Sequence, residues 1–150
     1  VGVVAATGVG VERFWEGLSK PVEPGPRAVP DWDPEPWVPK REYRRMDRFT
    51  QYAIVATLEA MAMVGNLDHV DPNRVTVAVA TGIGGLASLE DLIEGAYSDG
   101  RVSPLLVPMM MCNAAAATIS IRYGFGAAAT TPVVACAAGA QAISDVMLYE

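Results

Sequence analysis

The chain holds two cysteines, Cys112 and Cys136, and one histidine, His69. Cys136 follows a β-rich run, Pro132-Val133-Val134-Ala135, and opens a stretch of small residues, Ala137-Ala138-Gly139-Ala140. A thiol at a strand-to-helix turn sits where backbone N–H groups converge, and such a position favours a thiolate able to attack an electrophilic carbon. On residue type alone a cysteine is more often a small apolar filler than a nucleophile. The surroundings favour chemistry. The helix after Cys136 is too poor in large side chains for an ordinary surface helix, and Gly139, Ala140 and Ala142 allow a helix or ligand to pack close. Cys112 lacks such a helix start and reads as packing.

Other groupings weigh less. Gly82-Ile83-Gly84-Gly85-Leu86-Ala87 fits a dinucleotide-binding pattern, but no acidic residue is evident at a second strand end about 20 residues on. A tight turn accounts for it better. Asp68, His69 and Asp71 lie in a polar connection and read as solvated rather than as metal ligands; no metal site is expected. Met109-Met110-Met111 suits a core or a flexible apolar tunnel, since methionine fills irregular gaps. Arg41, Arg44, Arg45 and Arg48 form a basic run in an otherwise acidic protein. Its simplest reading is a solvated helix start; its sharper one is contact with an acidic partner.

Strands and helices must position these groups. Residues 1–6 read as a buried strand, 7–10 as a turn, and 11–19 as a helix with Phe14, Trp15 and Leu18 on one face. Residues 20–40 hold seven of the eleven prolines and exclude regular helix or central strand. Trp32 and Trp37 mark that segment as an ordered loop packed on the body. Asp47 is the predicted N-cap of a long helix ending at Gly65. Residues 75–80 read as a buried strand, 86–97 as a helix, 98–101 as a turn, and 104–123 as helix broken near Asn113. Residues 124–131 read as a Gly/Ala loop, 132–135 as a strand and 138–150 as a final helix. The alternation predicts an α/β fold with partly parallel pairing.

At 150 residues the chain is about one domain long, and 51% hydrophobic residues allow a sizeable core. The net charge of −6 argues against nucleic acid as a partner. Two cysteines are too few for a disulfide scaffold, so a reduced, cytoplasmic setting is expected. No apolar run reaches the roughly 18 residues of a membrane span. The chain opens directly on Val1-Gly2-Val3-Val4 without a basic leader, so no signal peptide is expected. Beginning in a strand and closing in a helix, it reads as a piece of a larger fold.

The run from Thr131 through Cys136 to Ile143 resembles the nucleophile segment of β-ketoacyl-[acyl-carrier-protein] synthases, the condensing enzymes of the thiolase superfamily. Further segments agree in order: residues 10–18 with Phe14-Trp15, Met46-Asp47-Arg48-Phe49-Thr50-Gln51-Tyr52-Ala53, Thr81-Gly82-Ile83-Gly84-Gly85-Leu86, Ser103-Pro104 to Asn113, and Ser120-Ile121-Arg122-Tyr123-Gly124. The resemblance covers nearly the whole chain and is closest to the stand-alone type II elongating enzymes. It departs from the pattern at Val134, where threonine is usual, and at Ala127-Ala128-Ala129, where a Gly-Pro-Asn type turn is usual.

The resemblance implies a layered αβαβα thiolase-like fold, with residues 1–150 as its N-terminal half, a mixed sheet and a buried nucleophile helix. It implies that Cys136 accepts an acyl group, with its backbone N–H as an oxyanion donor, and that the whole protein then condenses it with a decarboxylated malonyl thioester. Met111 and Met110 become acyl-pocket residues. Substrates ride on phosphopantetheine, with no other cofactor, and the partner is an acyl carrier protein that the basic run could meet. A homodimer paired through residues 132–134 is implied. The family's two catalytic histidines, lysine and glycine-rich loop lie in its second half, and His69 matches none of them. A non-catalytic chain-length-factor-like subunit and a thiolase-like acyltransferase using coenzyme A thioesters remain as alternatives.

Overall fold

The computed structural model describes the chain except residues 22, 23, 26, 30, 99, 101, 149 and 150. Its spine is a helix over Arg48–Val64, here α3, which follows the short helices α1 (Val11–Leu18) and α2 (Lys40–Tyr43). The predicted cap is present: the Asp47 carboxylate accepts the Phe49 N–H at 3.0 Å. Gly65 ends the helix with φ of 77°, a conformation that favours glycine. Ile54 and Val55 of this helix are buried with Val38, Val77, Ala116 and Ile119 in one apolar cluster. Ala116 and Ile119 belong to α6 (Ala114–Tyr123), which lies along α3. Its buried alanines let the two helices approach closely.

Two small sheets flank this pair. β1 (Val4–Ala5) and β2 (Gly8–Val9) form an antiparallel hairpin. Residues 1–6 are therefore not one buried strand; Val1 is exposed, residues 2–6 are half-buried, and the chain turns back at Ala6-Thr7. β3 (Val77–Ala78) pairs in parallel with β4 (Ala129–Thr130). The amide ladder runs on beyond the strands, from the Val77 N–H to the Ala128 carbonyl, from Val79 to Thr130 and from Thr81 to Pro132. The strand expected at residues 132–135 thus lies earlier, within residues read as a loop. Pro132 has no N–H to extend the pairing, and Val134 and Ala135 leave the extended conformation.

α4 (Leu86–Ser98), α5 (Leu106–Met110) and α7 (Ala138–Val146) complete the fold. The helical stretch after Pro104 breaks at 111–113, next to Asn113 as anticipated. The last helix is assigned to Val146, and residues 149 and 150 of its expected span lie outside the described residues, as do 99 and 101 of the expected turn.

The later part of the proline-rich segment packs on the body: Val38 is in the core cluster and Trp32 lies against it. Trp32 stacks on Trp37 at 6.2 Å between ring centroids and meets Tyr52 edge-on at 4.6 Å. Its Nε1–H donates to Gln51 Oε1 at 2.7 Å, while Gln51 Nε2 donates to the carbonyls of Tyr43 and Met46 at 3.1 Å each. One α3 side chain therefore fastens both the loop and the entry to α3.

Candidate functional site

Cys136 lies in a single 3₁₀ turn, Ala135–Ala137, that leads directly into α7. It is exposed, and its thiol is free. The preceding Ala135 has φ of 49°, left-handed for a residue with a side chain. Strain of this kind concentrates where a surrounding fold forces a side chain into a working position. The Ala137 N–H returns to the Val134 carbonyl at 3.1 Å, and the Ala138 N–H returns to the Ala135 carbonyl. Among the described residues the Cys136 N–H finds no acceptor, so it remains available to a ligand oxygen.

The helix behind the thiol differs from expectation. Only Ala138 of α7 is buried, and Ile143 is 66% exposed. A Cβ on Gly139 would meet nothing within 4 Å. α7 packs chiefly on β3 and its own leading turn, so the helix after Cys136 is not buried and Gly139 serves no close approach here.

The methionine segment is built by glycines. Gly84 has φ of 91°, and a Cβ there would lie 2.8 Å from Cys112 Sγ. A Cβ on Gly85 would lie 2.5 Å from the Met109 carbonyl and 2.7 Å from Met110 Cα. Gly85 N–H donates to the Met110 carbonyl at 3.1 Å, and Cys112 Sγ donates to the Ile83 carbonyl at 3.3 Å. The glycine-rich turn therefore lets the end of α5 and the residues just after it cross closely; Cys112 packs there, as its sequence context indicated.

Met111 is 45% exposed and lines a groove of about 250 Å³ with Arg45, Met46, Thr50, Pro108 and Ile121. Met110 is half-buried against Gly85 and does not line it, and neither does Cys136. Arg44 borders a second cavity of about 300 Å³ with Ser88, Asp91, Leu92, Ser103 and Met109. The basic run is thus an exposed surface, with Arg44 and Arg45 opening onto two cavities that share Met109 as a wall. Residue order alone did not reveal this shared wall, which depends on how α5 packs against α4 and α6.

His69 is exposed in a loop where Asn66 and Asp68 bond each other and Asp71 accepts the Asn73 N–H. Among the described residues no group of three His, Cys, Asp or Glu side chains is placed to hold a metal ion. Among them also, no helix is long and apolar enough to cross a membrane.

Residues 29–148 match the family described as beta-ketoacyl synthase, N-terminal domain. The chain is 30% identical over 165 residues to 3-oxoacyl-[acyl-carrier-protein] synthase 2 of Synechocystis sp., covering 97% of this chain and 39% of that protein. It is 32% identical over 164 residues to 3-oxoacyl-[acyl-carrier-protein] synthase 2 of Staphylococcus aureus, covering 97% and 40%. The chain therefore spans about two fifths of the length of these relatives. Among solved structures it superposes, with a TM-score of 0.78 and 26% identity, on a chain of AntDE:AntF, a type II PKS acyl-carrier protein in complex with its ketosynthase bound to the hexaketide; the match covers 98% of this chain and 44% of that one. It superposes on the ishigamide ketosynthase/chain length factor with a TM-score of 0.74 and 22% identity, over 88% and 38% of the two chains. The α/β fold is accordingly the thiolase-like fold of the ketosynthases. The chain belongs to the beta-ketoacyl synthase family, of which residues 29–148 are the N-terminal domain.

Proposed function

We propose that this chain supplies the acylation half of a β-ketoacyl-[acyl-carrier-protein] synthase reaction, in fatty-acid or polyketide elongation. The Cys136 thiolate attacks the carbonyl carbon of an acyl thioester, the tetrahedral oxyanion is held by the Cys136 N–H, and the carrier thiolate leaves and takes up a proton. The whole protein then condenses the acyl group with a decarboxylated malonyl thioester. That second step calls on histidines and a lysine that none of these residues matches.

One observation carries the reading: within a family match covering most of the chain, the lone cysteine of the nucleophile segment is solvent-accessible. It stands directly after a strained residue, and its own N–H is free among the described residues. The exposed arginines Arg41, Arg44, Arg45 and Arg48 supply a cationic surface for an acidic carrier protein, and Met111 and Met110 are proposed to border the acyl chain. A cytoplasmic homodimer is the working assembly in this reading.

The test is intact-mass analysis of the protein after exposure to an acyl thioester of the carrier protein. A single acyl adduct that vanishes in Cys136→Ala supports the assignment. An unchanged adduct in that variant overturns it. Release of CO2 from a malonyl thioester by the whole protein separates condensation from plain acyl transfer.

A further inference from the structure

Asp47 does more than begin α3. It is 4% exposed, and its two carboxylate oxygens are divided between two helices. Oδ1 accepts the Phe49 N–H at 3.0 Å, and Oδ2 accepts the Ser88 N–H at 2.8 Å. Ser88 is the third residue of α4, so its N–H is one of the donors that a helix start leaves unpaired. A helix usually meets that need with the side chain of its own capping residue. Gly85, which precedes α4, has no side chain, and a Cβ there would collide with the Met109 carbonyl and Met110. The cap is therefore supplied from α3. The same Oδ2 lies 3.1 Å from where a Gly85 Cβ would stand, and Gly85 holds the Met110 carbonyl.

We infer that Asp47 is a positioning residue: its carboxylate clamps the starts of α3 and α4 together around Gly85 and so sets where Met109–Met111 lie, and with them the acyl chains the site accepts. The selectivity part rests on the proposed function; the clamp itself does not. Asp47 joins the arginine-bearing entry of α3 to the methionine segment through one carboxylate and one glycine amide. No other described side chain bonds both helix starts.

Asp47→Ser tests this in the intact protein. Serine caps its own helix as well as aspartate does, but its single short hydroxyl cannot also serve Ser88. Amide exchange of residues 84–88 and 109–112 should quicken about tenfold or more, while residues 48–64 stay protected. In a Cys136→Ala background, labelling of Cys112 by a maleimide should accelerate by a similar factor. Asp47→Asn, which keeps one acceptor oxygen, should fall between. Unchanged exchange in 84–88 and 109–112 overturns the clamp, as does equal loss of protection along all of α3.

With the Cys136 thiol intact, competing short- and long-chain acyl thioesters should give adduct ratios shifted about threefold or more in Asp47→Ser. An equal fall for every chain length makes Asp47 merely structural and overturns the selectivity role. If wild type takes no acyl group at all, the proposed function fails, while the exchange and labelling results still decide the clamp.

Discussion

Glu59 Oε1 accepts the N–H of Val11 at 2.7 Å, although the two residues are 48 positions apart. Val11 is the first residue of α1, and the residue before it, Gly10, has φ of 89° and no side chain to offer as a cap. The other Glu59 oxygen accepts the Val3 N–H at 2.8 Å, beside the β1–β2 hairpin. α3 thus carries a carboxylate along its length and another at its start, and each serves a helix that opens after a glycine.

Glu59→Ala should cost about 2 kcal/mol, because two part-buried N–H groups lose a charged acceptor. Urea denaturation should show a lower midpoint at constant slope. Glu59→Gln, with one acceptor left, should lose roughly half as much. A variant as stable as wild type would show that water replaces the carboxylate at no cost.

Two of the three glycines in the turn before α4, Gly85 and Gly82, should respond differently. Gly85→Ala places a methyl group 2.5 Å from a backbone carbonyl, and overpacking against backbone costs about 1–3 kcal/mol. Gly82→Ala meets nothing within 4 Å and should change stability by no more than about 0.5 kcal/mol. Thermal melts of the pair check this, and equal effects would contradict the crossing described for Met109 and Met110.

Gln51→Ala removes the acceptor of Trp32 Nε1–H and the donor to Tyr43 and Met46. The expected loss is about 1–2 kcal/mol. Limited proteolysis should then cut within residues 20–40 sooner than elsewhere. Unaltered cleavage there would mean that ring stacking alone seats the loop.

Ala135→Gly should stabilise the protein or leave it unchanged, since glycine adopts positive φ without the about 1–2 kcal/mol charged to other residues, less the entropy that glycine loses on folding. Ala135→Val should destabilise it by more than about 1 kcal/mol and slow acylation of Cys136, because a β-branched residue fits this conformation poorly. Melting curves and adduct formation measured together read both effects. A valine variant that matches wild type in each would remove Ala135 from the account of how the thiol is held.

Acid should loosen the start of the helical body through Glu35. The Tyr43 hydroxyl donates to its carboxylate at 2.9 Å, and Lys40 Nζ lies 3.2 Å from the same oxygen. The Tyr43 hydrogen bond first, and Lys40 second, hold the carboxyl below its ordinary range. The folded chain therefore binds this proton less readily than the unfolded one. The contribution is present above the unfolded pKa and lost as pH falls through the lower folded value. The melting temperature of wild type should drop more steeply on acidification than that of Glu35→Gln; parallel curves would refute the coupling.

Much of the fold was legible in local patterns because local chemistry dictates it. Asp47 and Gly65 bound α3 since a carboxylate caps and a glycine takes positive φ. Two tryptophans among prolines marked a packed loop, and the break near Asn113 followed from the chain itself. The family was legible too, because several short segments around and before Cys136 keep their order, and residues 29–148 match the beta-ketoacyl synthase N-terminal domain. The strand before that cysteine was misplaced because a valine run and a true strand look alike until pairing is known, and here the partner of β3 is Ala129–Thr130.

What only the tertiary structure decided were the relationships at a distance. Residue types could name Asp47, Gly85 and Met110, but not that one carboxylate serves two helices across 41 positions. Nor could they show that Arg44 and Arg45 open onto cavities sharing Met109, or that Ala135 is forced into a left-handed turn. Propensities and caps act within a few residues and are written in order along the chain. Close approach, shared acceptors and strain arise only when separate segments compete for the same space.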